Sequence, residues 1–188
     1  LDNLGYSHVT IREEDFENDL KYETAVEIIA KLMELGREHG VNVGIKLTNT
    51  LPVENSGKVL AGESLYLSGK PLFPIAIGVA EKFAQSFNGN IHISYSGGID
   101  KNNILKVLKT GIAPVTFSTI LLKPRGYINL KDLLAPIEEE HFSSDKLDVE
   151  ALEELAREAK TDPNYKNKGE RGVEKEDTLP TYDCFKVN

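Results

Sequence analysis

The chain has 188 residues, 40% hydrophobic and 28% charged, the composition of an ordinary globular protein with room for one domain and a tail. A formal charge of −8 with scattered basic residues argues against nonspecific nucleic-acid binding, which needs a basic footprint, and no apolar run approaches the ~18 residues of a membrane span. The single cysteine, Cys184, rules out an internal disulfide, and with no basic-then-apolar leader after Leu1 the expected setting is cytoplasmic.

Residues 1–21 have little apolar periodicity and end in the acidic run Glu13, Glu14, Asp15, Glu17 and Asp19, so they read as a long loop with at most one short turn. From Tyr22 the pattern turns helical, with Ala25, Ile28, Ile29, Leu32, Met33 and Leu35 at three- and four-residue spacing and Gly40 as the stop. Val41, Val43, Ile45 and Leu47 alternate as a strand that ends in Thr48, Asn49 and Thr50. The stretch from Leu51 to Lys70 has no helical period and reads as a long loop with one short strand at 64–67, and loops of that length are usually functional. Pro71 and Pro74 open a helix carrying Ile75, Val79, Phe83 and Phe87 on one face, closed by Gly89.

Strand 90–96, helix 100–110 and strand 113–119 follow as one βαβ unit. A last helical stretch, 126–140, bends at Pro136. Asp148 caps an amphipathic helix from Val149 to Lys160, with Leu152, Leu155, Ala156 and Ala159 as its apolar seam. From Thr161 to Thr178 apolar residues nearly vanish, which predicts a linker.

Two strand ends stand out as candidate anion sites. Ser96-Gly97-Gly98 joins a strand to a helix expected to start at Asp100, where bare backbone and free N–H groups suit a phosphate. One helix later a second strand ends in Ser118 and Thr119. Successive strand ends of this kind hold phosphate in the closing quarter of a (β/α)8 barrel, although glycine pairs also mark plain βα turns. Lys46, between Ile45 and Leu47, either points into the barrel mouth toward an anion or a reduced cofactor, or alternates outward to solvent. His92 reads as a core or surface histidine. No zinc spacing, Ser-His-Asp order or Gly-x-Gly-x-x-Gly motif is present.

Four separated stretches, Ile45 to Thr50, Tyr66 to Ile75, Ile93 to Gly98 and Pro114 to Thr119, together resemble the C-terminal half of the dihydroorotate and dihydropyrimidine dehydrogenase FMN barrel. More closely they are similar to the barrel portion of selenate reductase iron-sulfur subunits, relatives of the glutamate synthase small subunit. The resemblance covers roughly residues 22–135. It implies that Lys46 contacts a flavin, that Asn49 and Thr50 lie near the ring and substrate, and that Ser68, Gly69, Gly97, Gly98, Ser118 and Thr119 hold the FMN phosphate. In the dehydrogenases the lysine strand and the Thr-Asn-Thr strand belong to separate βα units, whereas here Lys46 and Asn49 share one run. Leu179 to Cys184 resembles the entry to a cysteine-rich region, where Cys184 would be one thiolate ligand of a [4Fe-4S] cluster completed only in a full-length protein.

The expected fold is therefore α/β, a partial (β/α)8 TIM-barrel-like unit corresponding to the C-terminal half, with a helical C-terminal extension. Residues 1–21 form a loop from a preceding barrel unit, 22–142 the half barrel, and 143–188 the extension and linker toward an iron-sulfur region. The resemblance implies part of an oxidoreductase that passes electrons among NAD(P)H, FAD and [4Fe-4S] clusters, with FMN possible in this domain, no catalytic residue assigned, and the isolated piece inactive. A non-catalytic scaffold docking the electron-transfer modules and a phosphate-binding barrel lyase or synthase are the alternatives. Partners would be the other domains of the parent protein. Self-association is also expected, because a half barrel leaves strand edges unpaired and apolar side chains uncovered.

Overall fold

The computed structural model describes residues 1–55, 62–122, 125–138 and 140–167. In chain order the elements are α1 (Glu13–Glu17), α2 (Tyr22–Glu38), β1 (Gly44–Leu47), β2 (Leu51–Glu54), β3 (Ser64–Leu67), α3 (Phe73–Ser86), β4 (His92–Ser96), α4 (Ile104–Lys109), β5 (Val115–Thr116), α5 (Gly126–Leu134) and α6 (Val149–Ala159). Single 3-10 turns lie at Asp2–Leu4, Lys70–Leu72, Ala135–Ile137 and Pro163–Tyr165.

β1, β4 and β5 form a parallel sheet in that order, with Lys46 opposite Ser94 and Ser96 opposite Thr116. Parallel neighbours require crossovers, which α3 and α4 supply. A wall of sequential parallel strands with connecting helices is a sector of a (β/α)8 barrel, as the sequence predicts. Strand alternation divides its faces. Ile93 and Tyr95 are buried on the helix side, while His92, Ser94 and Ser96 lie on the other.

The core sits between the sheet and the helices. Ala76, Ala80 and Ala84 give α3 a small-residue side, and α6 packs along α3 with Leu152, Leu155, Ala156 and Ala159 buried. Asp148 caps α6 as expected, its carboxylate accepting from the Ala151 N–H at 3.0 Å. The chain entering α6 crosses the bottom of the barrel wall. Leu147 N–H donates to Gly89 O and Asp148 N–H to Thr110 O, both at 2.9 Å. A Cβ on Gly89 would stand 2.5 Å from Leu147 O, so this glycine is required by the crossing chain as well as by its left-handed φ of 77°. The described part of the C-terminal extension is thus integral to the outer layer.

Several expectations need correction. Residues 1–21 hold more than one short turn: besides the turn at Asp2–Leu4 they contain α1, where Arg12 pairs with Asp15 at 2.8 Å, and Leu4 is buried. Residues 161–167 are not a linker, because Tyr165 is buried and stacks on Phe73 with ring centroids 4.8 Å apart. Asn167 N–H also donates to Leu4 O at 2.8 Å, tying this segment to the N-terminus. The stretch after Thr50 holds an antiparallel hairpin, β2 with β3, of which only β3 was expected. β5 spans two residues rather than seven.

The uncovered sheet face is not apolar. It carries Lys46, His92, Ser94, Ser96 and Thr116, while the large exposed apolar residues Ile28, Leu32 and Leu35 make a stripe on α2. No helix among the described residues is long and apolar enough to cross a membrane.

Candidate functional site

Beyond the C-terminal ends of β1, β4 and β5 the chain encloses a cavity of about 500 Å³, a size typical of small-molecule sites. Parallel α/β architecture places loops, and so function, at this end. All nine residues singled out above line it. Lys46 comes from β1, Asn49 and Thr50 from the run just past it, Ser68 and Gly69 from the turn after β3, Gly97 and Gly98 from the turn after β4, and Ser118 and Thr119 from the end of β5. The structure also places Thr48, Tyr66, Ser96, Thr116 and Phe117 on the lining. Ser96 was part of the Ser96-Gly97-Gly98 motif; the other four were not assigned to the site, although each lies within two residues of one that was.

Lys46 is the one charged side chain among the described residues of the lining, and no carboxylate stands within ion-pair distance of it there. The remaining polar groups are hydroxyls, an amide and backbone. A neutral polar cavity with one unpaired cation favours an anionic guest.

The glycine turns have a structural reason besides any ligand. Gly98 has φ 69°, and a Cβ there would fall on the carbonyl oxygen of Gly69 and 2.9 Å from the Phe73 Cβ. Gly97, at φ 151°, would bring a Cβ within 2.9 Å of the Ala76 Cβ. The turns after β3 and β4 therefore interlock over the start of α3. Tyr95 supports them from below, its hydroxyl donating toward Gly97 O at 3.2 Å and Phe73 O at 3.4 Å. Burial pushes the Tyr95 phenol well above its ordinary pKa, with Tyr165 adding to the rise, so it stays a donor.

The expected helix start at Asp100 is displaced. α4 begins at Ile104, because Asp100 and Asn103 use their side chains locally. Asp100 N–H donates to Asn103 Oδ1 at 2.8 Å, Asn102 N–H donates to Asp100 Oδ1 at 2.8 Å, and Asn103 Nδ2 donates to Gly98 O at 3.0 Å. Asn103 and Ile104 N–H groups both turn to Asp100 O. The N–H groups of Asp100, Asn102, Asn103 and Ile104 are thus taken up within the turn itself. Backbone N–H groups without a protein acceptor among the described residues are instead found at Gly98 and Thr119.

Thr48 is fixed by its N–H, which donates to Ser96 O at 2.7 Å, while its Oγ1 is buried without a partner among the described residues. Behind the turn, Lys70 pairs with the buried Asp100 at 3.4 Å. His92 lies on the sheet face outside the cavity lining. Among the described residues no group of three His, Cys, Asp or Glu side chains stands ready for a metal. Cys184 lies outside the described residues.

Comparison with known proteins gives a consistent answer. Residues 1–168 match the family model described as "Oxidoreductase YgfK, N-terminal TIM-barrel domain". Two curated proteins of Escherichia coli, from strains K12 and O157:H7, each named "Putative oxidoreductase YgfK", are 40% identical over 188 residues. The match takes in 98% of this chain and 18% of each relative, so the chain spans about a fifth of their length. No solved structure matches.

Proposed function

The chain belongs to the family of the N-terminal TIM-barrel domain of oxidoreductase YgfK, and from that premise we propose that its barrel mouth is an FMN site within a longer flavin and iron-sulfur oxidoreductase. The observation that carries this reading is the convergence of four separated stretches, with all nine residues, on one cavity whose single cation among the described residues is Lys46. The chemistry of the lining fits the group. Gly98 and Thr119 N–H groups and the Ser118 and Thr119 hydroxyls offer donors for a phosphate. Lys46, on β1, stands one strand from the Gly98 turn and two strands from Thr119, the latter roughly 10 Å at ordinary strand spacing, a separation suited to a ligand with a phosphate at one end and a ring at the other. Asn49 and Thr50 lie beside Lys46 on the same run and would contact the ring edge and substrate.

Bound FMN would supply one- and two-electron transfer through its ring. Lys46 Nζ would offset negative charge on the reduced ring, and the interlocked turns at Gly69 and Gly98 would fix the phosphate. In the parent protein, electrons would arrive from NAD(P)H through FAD and [4Fe-4S] clusters, Cys184 contributing one cluster ligand, as in the selenate reductase and glutamate synthase-like subunits that the sequence resembles.

A second reading, a scaffold that docks the electron-transfer modules, is favoured by the exposed Ile28, Leu32 and Leu35 stripe and by Lys46 and Asn49 sharing one run. Titration of the chain with FMN and with riboflavin separates the two. An FMN site binds FMN about tenfold or more tighter than riboflavin, the size expected for hydrogen bonds to a charged phosphate, and Lys46→Ala weakens both. Equal, weak binding of the two flavins refutes the phosphate site and leaves the scaffold.

A further inference from the structure

Tyr66 is an exposed aromatic side chain with a place in the fold that its exposure alone does not explain. Pairing in the β2–β3 hairpin sets Leu51 opposite Leu67 and Val53 opposite Leu65 on one face, and Pro52 opposite Tyr66 on the other. The first face packs inward: Val53 is buried and Leu51 rests against the core. The second face turns Tyr66 toward the barrel mouth, where it lines the cavity with Lys46 and Asn49 while remaining 70% exposed. Among the described residues it meets no other aromatic ring. A single exposed tyrosine is ordinary on a protein surface, but one on the rim of a polar cavity offers a flat apolar face to whatever the cavity holds.

We propose that Tyr66 is the aromatic platform that covers the planar ring of the cavity's ligand. The inference rests on the FMN reading above and adds a residue to it. Ring contact would bury apolar area that the free protein leaves in water, and aromatic faces prefer offset stacking on flat ligands. The hairpin is well suited to hold the platform, because its opposite face is anchored and its register is fixed by four residue pairs.

The test is FMN titration of the 188-residue chain, read both as affinity and as emission of the bound flavin. Tyr66→Ala removes the platform and is expected to weaken FMN about tenfold; with the side chain 70% exposed, the variant should unfold as wild type does. Tyr66→Phe keeps the ring, so affinity should stay within about twofold. Emission is the independent signature, because a phenol in face contact quenches flavin fluorescence and a phenyl ring does so poorly. Tyr66 is the one tyrosine described on the lining and the chain has no tryptophan, so bound FMN should be dimmer in wild type than in Tyr66→Phe. Equal emission, or Tyr66→Ala binding as tightly as wild type, overturns the platform while leaving the FMN site intact. Failure of wild type to bind FMN overturns the FMN reading and the platform with it.

Discussion

Gly98 and Gly69 meet backbone to backbone: a side chain on Gly98 would occupy the place of the Gly69 carbonyl oxygen. One glycine closes the turn after β3 and the other the turn after β4, so two stretches nearly thirty residues apart are registered against each other at the cavity wall. Both also sit at φ 69°, where an L side chain is strained.

Gly98→Ala should therefore destabilise the chain by about 2 kcal/mol or more, combining the left-handed penalty with the clash against Gly69 and Phe73. Gly78, inside α3, has nothing within 4 Å of its Cβ position. Gly78→Ala should stabilise by about 0.5–1 kcal/mol, the helix-interior preference for alanine. Thermal melts of the two variants check the pair, and equal shifts would contradict the interlock.

Periodicity made the framework legible: α2, α3 and α6 and the strands β1 and β4 follow from apolar spacing and caps. β2 was missed because Leu51-Pro-Val-Glu54 is four residues long, and Pro52 argues against a strand interior but fits a hairpin strand. The start of α4 was misplaced because Asp100 and Asn103 are both good caps, and the choice between them depends on Gly98 O, which Asn103 reaches. Tyr165 lies in a polar segment, and nothing local announces that its ring stacks on Phe73. The site residues were legible as separate motifs, but their convergence depends on the sheet order, which brings the ends of β1, β4 and β5 side by side.

Asn103 is fully buried and its amide spans the turn, accepting from Asp100 N–H and donating to Gly98 O. Asn103→Ala would leave both backbone groups without that partner, at a cost of about 2–4 kcal/mol. Asn103→Asp keeps the acceptor but sets a carboxylate against Gly98 O, so it should not rescue. Urea unfolding of both variants measures this, and a wild-type midpoint for either would show that the turn holds without the amide.

Thr48 presents the opposite case. Its Oγ1 is buried with no partner among the described residues, while its backbone is held by Ser96 O. Thr48→Val replaces the hydroxyl by a methyl of similar size and should raise the stability of the unliganded chain by about 1 kcal/mol. A lower melting temperature would mean that the hydroxyl has a partner after all.

Alkaline pH should act on the fold through its buried phenols. Burial raises the Tyr95 pKa well above the usual value, and burial likewise raises that of Tyr165, against the opposing effect of a hydrogen bond from Asn103. An unfolded tyrosine loses its proton near pH 10, so above that pH the unfolded chain binds fewer protons than the folded one and stability falls as pH rises. The contribution of both phenols is fully present below about pH 10 and is lost on the way up to their folded values. Each phenol should steepen the decline by about 1.4 kcal/mol per pH unit in that window. Urea melts from pH 8 to pH 11 measure the slope, and Tyr165→Phe, which keeps the stack on Phe73, should make it shallower by one phenol's share. A slope unchanged by that substitution would place the Tyr165 hydroxyl in water rather than in the core.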